Sequence, residues 1–200
     1  LNLNWNDQYI NLSSFIPCTE VEGPGKRFAI WVQGCLKRCV GCCNPNELEI
    51  VGRDIVKTST ISHKILEAKE KYSIEGVTLI GGEPILQAKG LIGIAKLCKE
   101  NNLSLIMFTG YTYDEIEKQN FPYSRKLINY CDIVVEGPFD INNPDYERNW
   151  IGSTNQKIHF NTNFYNKGIE YDPRYRDGME FRISNEKIIV SGYPFAINNE

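Results

Sequence analysis

Long apolar runs are missing from this chain. No stretch approaches the ~20 residues that a helix needs to cross a bilayer, so no membrane span is expected. No secretory segment is read at its start either, which points to a cytoplasmic setting. Excess positive charge is also missing. Lys and Arg number 22 against 25 Asp and Glu, leaving −3 at pH 7, whereas a nucleic-acid binder would carry a basic patch. The Gly23-Pro24-Gly25 loop lacks the Gly-Lys-Ser/Thr ending and spacing of a phosphate-binding loop, so nucleoside triphosphate binding there is excluded. Lys26 and Arg27 beside it read as a solvated pair. Repeats, low-complexity tracts and an interdomain linker are absent. One domain over 1–200 is therefore expected, with a core at about 20–160 and a C-terminal extension at about 163–200.

Cysteine, by contrast, is plentiful. There are seven, an odd number in a chain of 200 residues with no secretory signal, and this argues against a disulfide framework. Three of them form Cys35-x3-Cys39-x2-Cys42, straight after the apolar run 28–32, which reads as a β-strand. A strand feeding a cysteine loop gives a rigid base and a short cradle of thiolates. Three thiolates can each hold one iron of a [4Fe–4S] cluster, leaving the fourth iron open to a ligand. Zinc is the rival. It prefers paired Cys-x2-Cys knuckles and a fourth ligand, and Cys18, Cys98, Cys131, His63 and His159 offer no paired spacing. Cys43 adjoins Cys42, and the x2 spacing favours Cys42 as the third ligand. Cys18 and Cys98 read as buried thiols, His63 as a surface residue and His159 as structural.

Strand and helix patterns then alternate. A helix is expected from a cap at Ser59 or Thr60 to about 72, a strand at 76–80, and a helix at 88–101. A strand at 103–108, a helical segment from 113, a helix at 124–130, and strands at 131–135 and 157–160 follow. Residues 1–21 read as a lead-in strand or hairpin, and 44–57 carries no clear period. Segments 179–183 and 187–190 alternate around 184–186 as a hairpin. Strands alternating with helices imply a parallel sheet, here an incomplete parallel (β/α) barrel of about five to six units with a C-terminal β-hairpin.

The strand at 76–80 ends in Gly81-Gly82-Glu83-Pro84. Two glycines let a backbone approach a ligand closely, Glu83 can accept from an ammonium with charge assistance, and Pro84 stiffens the turn. The next strand ends at Thr109, which lies by strand-end logic beside that loop or else caps the following helix. Glu136, before Gly137-Pro138-Phe139, serves either a pocket or a turn.

The cysteine spacing, followed by Gly-Gly-Glu-Pro about 40 residues on, resembles the radical S-adenosylmethionine (radical SAM) superfamily. The strings Glu22-Gly-Pro-Gly-Lys-Arg27, Trp31-Val-Gln-Gly-Cys35 and Gly41-Cys42 are similar to its glycyl-radical-enzyme activases, in particular the group acting on anaerobic ribonucleotide reductase. That resemblance spans about residues 20–160. It implies a [4Fe–4S] cluster on Cys35, Cys39 and Cys42, and S-adenosylmethionine (SAM) bound at Gly81, Gly82 and Glu83 and beside Thr109 and Glu136. Ser153, Asn155 and Gln156 are implied to hydrogen-bond the cofactor; Ile151 replaces an arginine of the pattern, and Cys43 replaces an aromatic residue. The implied activity is reductive cleavage of SAM to a 5′-deoxyadenosyl radical that abstracts a glycine hydrogen. The implied partners are a glycyl-radical enzyme and a flavodoxin or ferredoxin-type electron donor. Two other classes fit fewer features. One is a radical SAM enzyme for a small molecule or peptide; the other is a non-catalytic iron–sulfur carrier, which would have no use for an amino-acid-binding loop.

Overall fold

Strands that are mostly apolar with no alternating polar face demand cover on both sides, and four strands of this chain have that composition. In the computed structural model, which describes residues 7–176, 178–183 and 188–192, they form the middle of the sheet. In chain order the strands and helices are β1 (Tyr9–Thr19), β2 (Arg27–Val32), β3 (Asp54–Lys57), α1 (Thr58–Tyr72), β4 (Gly76–Gly81), α2 (Ala88–Glu100), β5 (Ser104–Thr109), α3 (Tyr113–Gln119), α4 (Ser124–Ile128), β6 (Ile133–Glu136), β7 (Lys157–Phe160), β8 (Met179–Ile183) and β9 (Ile188–Gly192). The main sheet runs β3-β1-β2-β4-β5-β6-β7, and β8 pairs with β9 apart from it. Strands β2, β4, β5 and β6 are mutually parallel, so their carboxyl ends lie together along one rim.

Alternation along these strands divides the core in two. Ile30, Val32, Leu79, Leu105 and Met107 face the helices and pack with Ile65 of α1, Leu91 and Ile94 of α2, and Leu127 of α4. On the opposite face Ile106, Ile133 and Val135 meet Ile151, while Ala29, Trp31 and Ile16 form a smaller group. Cys98 and Cys131 are buried core thiols, and Cys18 packs at the core's edge. Among the described residues no helix is long and apolar enough to cross a membrane.

Four parallel strands are fewer than the five to six units expected. A parallel connection needs a crossover long enough to return along the sheet, usually a helix. Residues 137–156 contain none, so β7 comes back antiparallel to β6. At the other edge the lead-in is one long strand, β1, antiparallel to both β2 and β3. Strand β3 escaped the sequence reading because an exposed edge strand of four residues has no buried face to impose a period. Residues 184–187 of the expected hairpin, Lys187 included, lie outside the described residues.

Arg27 is not solvated. It opens a strand buried at every position and is itself fully buried. Its guanidinium donates to Thr78 Oγ1 at 2.7 Å, Val77 O at 2.7 Å, Ser104 Oγ at 2.9 Å and Tyr165 OH at 2.9 Å, with longer bonds to Pro24 O and Ser104 O. Burial pushes its pKa down, but every acceptor around it needs its donors. Removing one member of such a network strands the rest. Arg27→Met is expected to cost about 3 kcal/mol or more of unfolding free energy, read by denaturant titration. Stability within about 0.5 kcal/mol of the parent would show that these groups are satisfied some other way.

Candidate functional site

The cysteine loop leaves β2 through Gln33 and Gly34, whose φ of +100° only glycine adopts readily. Gly34 N–H donates to Glu47 O at 2.8 Å and Cys35 N–H to Leu48 O at 3.2 Å, so the return limb closes the loop on itself. Trp31 Nε1 donates to Asn44 Oδ1 at 3.2 Å and holds its far end against β2. Next door, Gly81 and Gly82 press against this loop. Gly82 N–H donates to Val32 O at 2.7 Å and Glu83 N–H to Gly34 O at 2.9 Å. A Cβ on Gly81 would stand 2.6 Å from Val32 N, and one on Gly82 would stand 2.5 Å from Gly34 O. The glycine pair therefore makes room for protein backbone. The sequence reading had assigned that room to a ligand.

Cys35, Cys39 and Cys42 line one cleft at the carboxyl ends of the parallel strands, together with Gly81, Gly82 and Glu83. Cys35 is buried, Cys39 and Cys42 are half-buried and Cys43 is exposed. Desolvation raises the pKa of Cys35, against backbone N–H groups of Arg38 and Lys37 that lower it. Desolvation likewise raises Cys39, against the N–H of Phe139. Cys42 is pulled down to about 6, chiefly because the Cys43 thiol donates to it, with help from Asn44 N–H at 3.4 Å. Each of the three sulfurs thus has amide donors turned toward it, as suits a thiolate bound to iron. Among the described residues no three His, Cys, Asp or Glu side chains gather at the spacing a single ion needs. A cubane cluster takes each thiolate on a different iron, and this donor set fits it.

Glu83 is fully buried. Its Oε1 accepts from Thr109 Oγ1 at 2.7 Å and Ile85 N–H at 3.0 Å, and its Oε2 from Gly110 N–H at 2.8 Å. Burial raises its pKa to about 7 in spite of these donors. The carboxylate ties the end of β4 to the end of β5. Thr109 serves that tie and not the helix, because α3 is capped by Thr112 in a capping box with Glu115. Lys37, from within the cysteine loop, donates to Glu115 at 2.7 and 2.8 Å and lies 4.6 Å over the Tyr111 ring. Sequence reasoning missed Lys37, since only the fold brings its loop to α3.

Four expected residues do other work. Glu136 is buried outside the cleft, accepts from Tyr113 N–H at the start of α3, and stands 3.2 Å from His159 Nε2. His159 stacks on Tyr113 at 4.3 Å. Ser153 is buried and accepts from Asp140 N–H at 3.0 Å, and Asn155 donates to Pro138 O at 2.7 Å. Gln156 reaches the cleft, but its Oε1 accepts from the Gly152 and Ser153 N–H groups and its Nε2 donates to Gly137 O. Ser153, Asn155 and Gln156 thus brace the loop between β6 and β7, and Glu136 holds the start of α3. Ile151 lines the cleft from the apolar group beneath it.

A family model described as a 4Fe-4S single cluster domain matches residues 21–159. The anaerobic ribonucleoside-triphosphate reductase-activating protein of Vibrio cholerae is 30% identical over 159 residues, covering 75% of this chain and 97% of that protein. Its namesake in enterobacteria phage T4 is 27% identical over 158 residues, covering 76% and 96%. The pyruvate formate-lyase-activating enzyme of Clostridium pasteurianum is 39% identical over 118 residues, covering 58% of this chain and 46% of that protein.

A second buried carboxylate, Glu22, lines the same cleft and was given no role from sequence. Burial lifts it to about 7, and the Gly192 N–H at 3.2 Å opposes this only weakly. Unfolded, it titrates near 4.5. Between those values the folded chain binds the extra proton, so Glu22 costs stability as pH rises from about 4.5 to 7 and the cost is constant above that. Glu22→Gln is expected to exceed the parent in stability by up to about 3 kcal/mol at pH 8 and to match it near pH 4.5, in denaturant titrations of the metal-free chain. A difference independent of pH would remove the titration from the account.

Proposed function

The chain belongs to the 4Fe-4S single cluster domain family and, with its activating-enzyme relatives, to the radical SAM superfamily, and we propose that it generates a glycyl radical on a partner enzyme. One observation carries this reading: three thiols, the Gly81–Gly82–Glu83 turn and Thr109 all open into one cleft. In this reading Cys35, Cys39 and Cys42 hold a [4Fe–4S] cluster. When bound, such a cluster supplies the electron that splits SAM into methionine and a 5′-deoxyadenosyl radical.

The chain's own residues do the positioning. Amide groups of Lys37, Arg38, Phe139 and Asn44 stabilise charge on the three sulfurs. Glu83 carries the buried negative charge that attracts the SAM ammonium, and Thr109 and Gly110 hold its oxygens still. Gly81 and Gly82 set the wall against which the methionine part rests. Ile80, Phe108 and Phe139 line the cleft with apolar surface, which keeps water from a reactive radical. Glu136, Ser153, Asn155 and Gln156 shape the cleft by bracing its loops. A flavodoxin or ferredoxin-type protein provides the electron. The names of the relatives favour a protein substrate, and anaerobic ribonucleotide reductase is the partner to try first.

Anaerobic reconstitution is expected to load roughly four irons per chain. Alanine at Cys35, Cys39 or Cys42 should abolish loading, and alanine at Cys18, Cys43, Cys98 or Cys131 should not. With reductant, SAM and the glycyl-radical partner, 5′-deoxyadenosine should form and an EPR doublet should appear on the partner. Repeated turnover on a metabolite with no protein radical would replace the activase reading with a small-molecule one. No deoxyadenosine under any condition would leave an electron carrier.

A further inference from the structure

The family match ends at residue 159, yet residues beyond it line the cleft: Tyr175, Arg176, Gly178 and Gly192. This segment is firmly attached. Asn149 N–H donates to Glu170 O at 2.6 Å and Asn149 Nδ2 to Asp172 O at 2.8 Å. Arg182 donates to Cys18 O at 3.0 Å, and Gly192 N–H to Glu22. Between those anchors Trp150 lines the cleft with φ of +64°, a left-handed backbone that a bulky residue seldom takes. Backbone strain of this kind persists where surrounding contacts over-determine it, and it collects at binding and active sites. Here the Asn149 bonds hold the backbone, and the Trp150 ring packs 5.2 Å from the Tyr175 ring at 47°.

We propose that Trp150 and Tyr175 form a notch that accepts a bulky apolar side chain next to the target glycine of the partner's loop. The inference rests on the activase reading above and adds a specificity element to it. Two tilted rings on a cleft wall bury large apolar area at little conformational cost. The cations nearest the two rings are already committed: Arg174, 5.6 Å over the Tyr175 ring, pairs with Asp172 at 2.6 Å. Arg148 is moreover committed to Asp145 at 2.7 Å and to the carbonyls of Ser153, Thr154 and Gln156, and Arg176 donates to Glu147 O. The chemistry left open in the notch is apolar.

The test uses the cluster-loaded chain and three synthetic nine-residue peptides. Each is centred on glycine and differs only in carrying Leu, Lys or Ser beside it. Affinity is read by anisotropy of a labelled peptide, and deoxyadenosine is measured in parallel. The parent should bind the Leu peptide about tenfold more tightly than the Ser peptide, the order expected for an apolar contact in a pocket. Trp150→Asn, chosen because Asn tolerates a positive φ, and Tyr175→Ser should bring that ratio close to one with iron content unchanged. A parent ratio near one, a ratio kept by both variants, or a Lys peptide bound most tightly would overturn the notch. Discrimination without deoxyadenosine from any peptide or partner would leave the notch standing and sink the activase reading. Deoxyadenosine without discrimination would do the reverse.

Discussion

Everything at the strand ends depends on one backbone-to-backbone seam. Gly81 and Gly82 lie so close to Val32 and Gly34 that no side chain fits between them, and two amide hydrogen bonds close the gap. The seam exists because β2 and β4 are parallel neighbours in register, Val32 opposite Gly81, so the loops leaving both strands start side by side. It fixes where the cysteine loop begins relative to Glu83. Glu83 in turn fixes the end of β5 through Thr109 and Gly110. Three loops, far apart in sequence, thus behave as one piece, and the cysteines inherit their placement from it.

This explains which parts of the molecule were legible in the sequence. The parallel strands were, because each is mostly apolar with no alternating polar face and must be covered on both sides. So were the two loops, because glycine and cysteine at fixed spacing have few other uses. The physical role of the glycines was not legible. A missing Cβ looks the same whether the neighbour is a ligand or a backbone, and only the register of β2 against β4 distinguishes them. Arg27 was misread for a similar reason: a charged residue beside Lys26 looks solvated until the strand that follows is buried at every position. Strand β3 was invisible because Val56 alone of its four residues is even half-buried.

Glu136, Ser153, Asn155 and Gln156 teach a related point about polar residues near a site. Each looked available for a cofactor. Each instead satisfies backbone groups of the 137–156 loop or of the start of α3. A long connection without helix or strand has amides and carbonyls that nothing regular will pair, and buried ones must find partners. The polar string before β7 supplies them. Sequence alone cannot separate a side chain reserved for a ligand from one spent on its own loop, because both need the same chemistry.

The charges facing the cleft follow the same economy. Lys37 lies within the cysteine loop and lines the cleft, and its bonds to Glu115 and its place over Tyr111 commit it to holding that loop against α3. Glu83 and Glu22 both titrate near 7 because burial outweighs their donors. They differ in how they are held: Glu83 by three bonds that leave little freedom, Glu22 by one long bond to Gly192. A buried carboxylate short of donors is stabilised by whatever cation or donor enters beside it. The cleft therefore carries an acidic bias at two separated points, and among the described residues the lysine that lines it, Lys37, is already committed. Such a bias suits a ligand with an ammonium group at one end, and the activase reading assigns that end to Glu83.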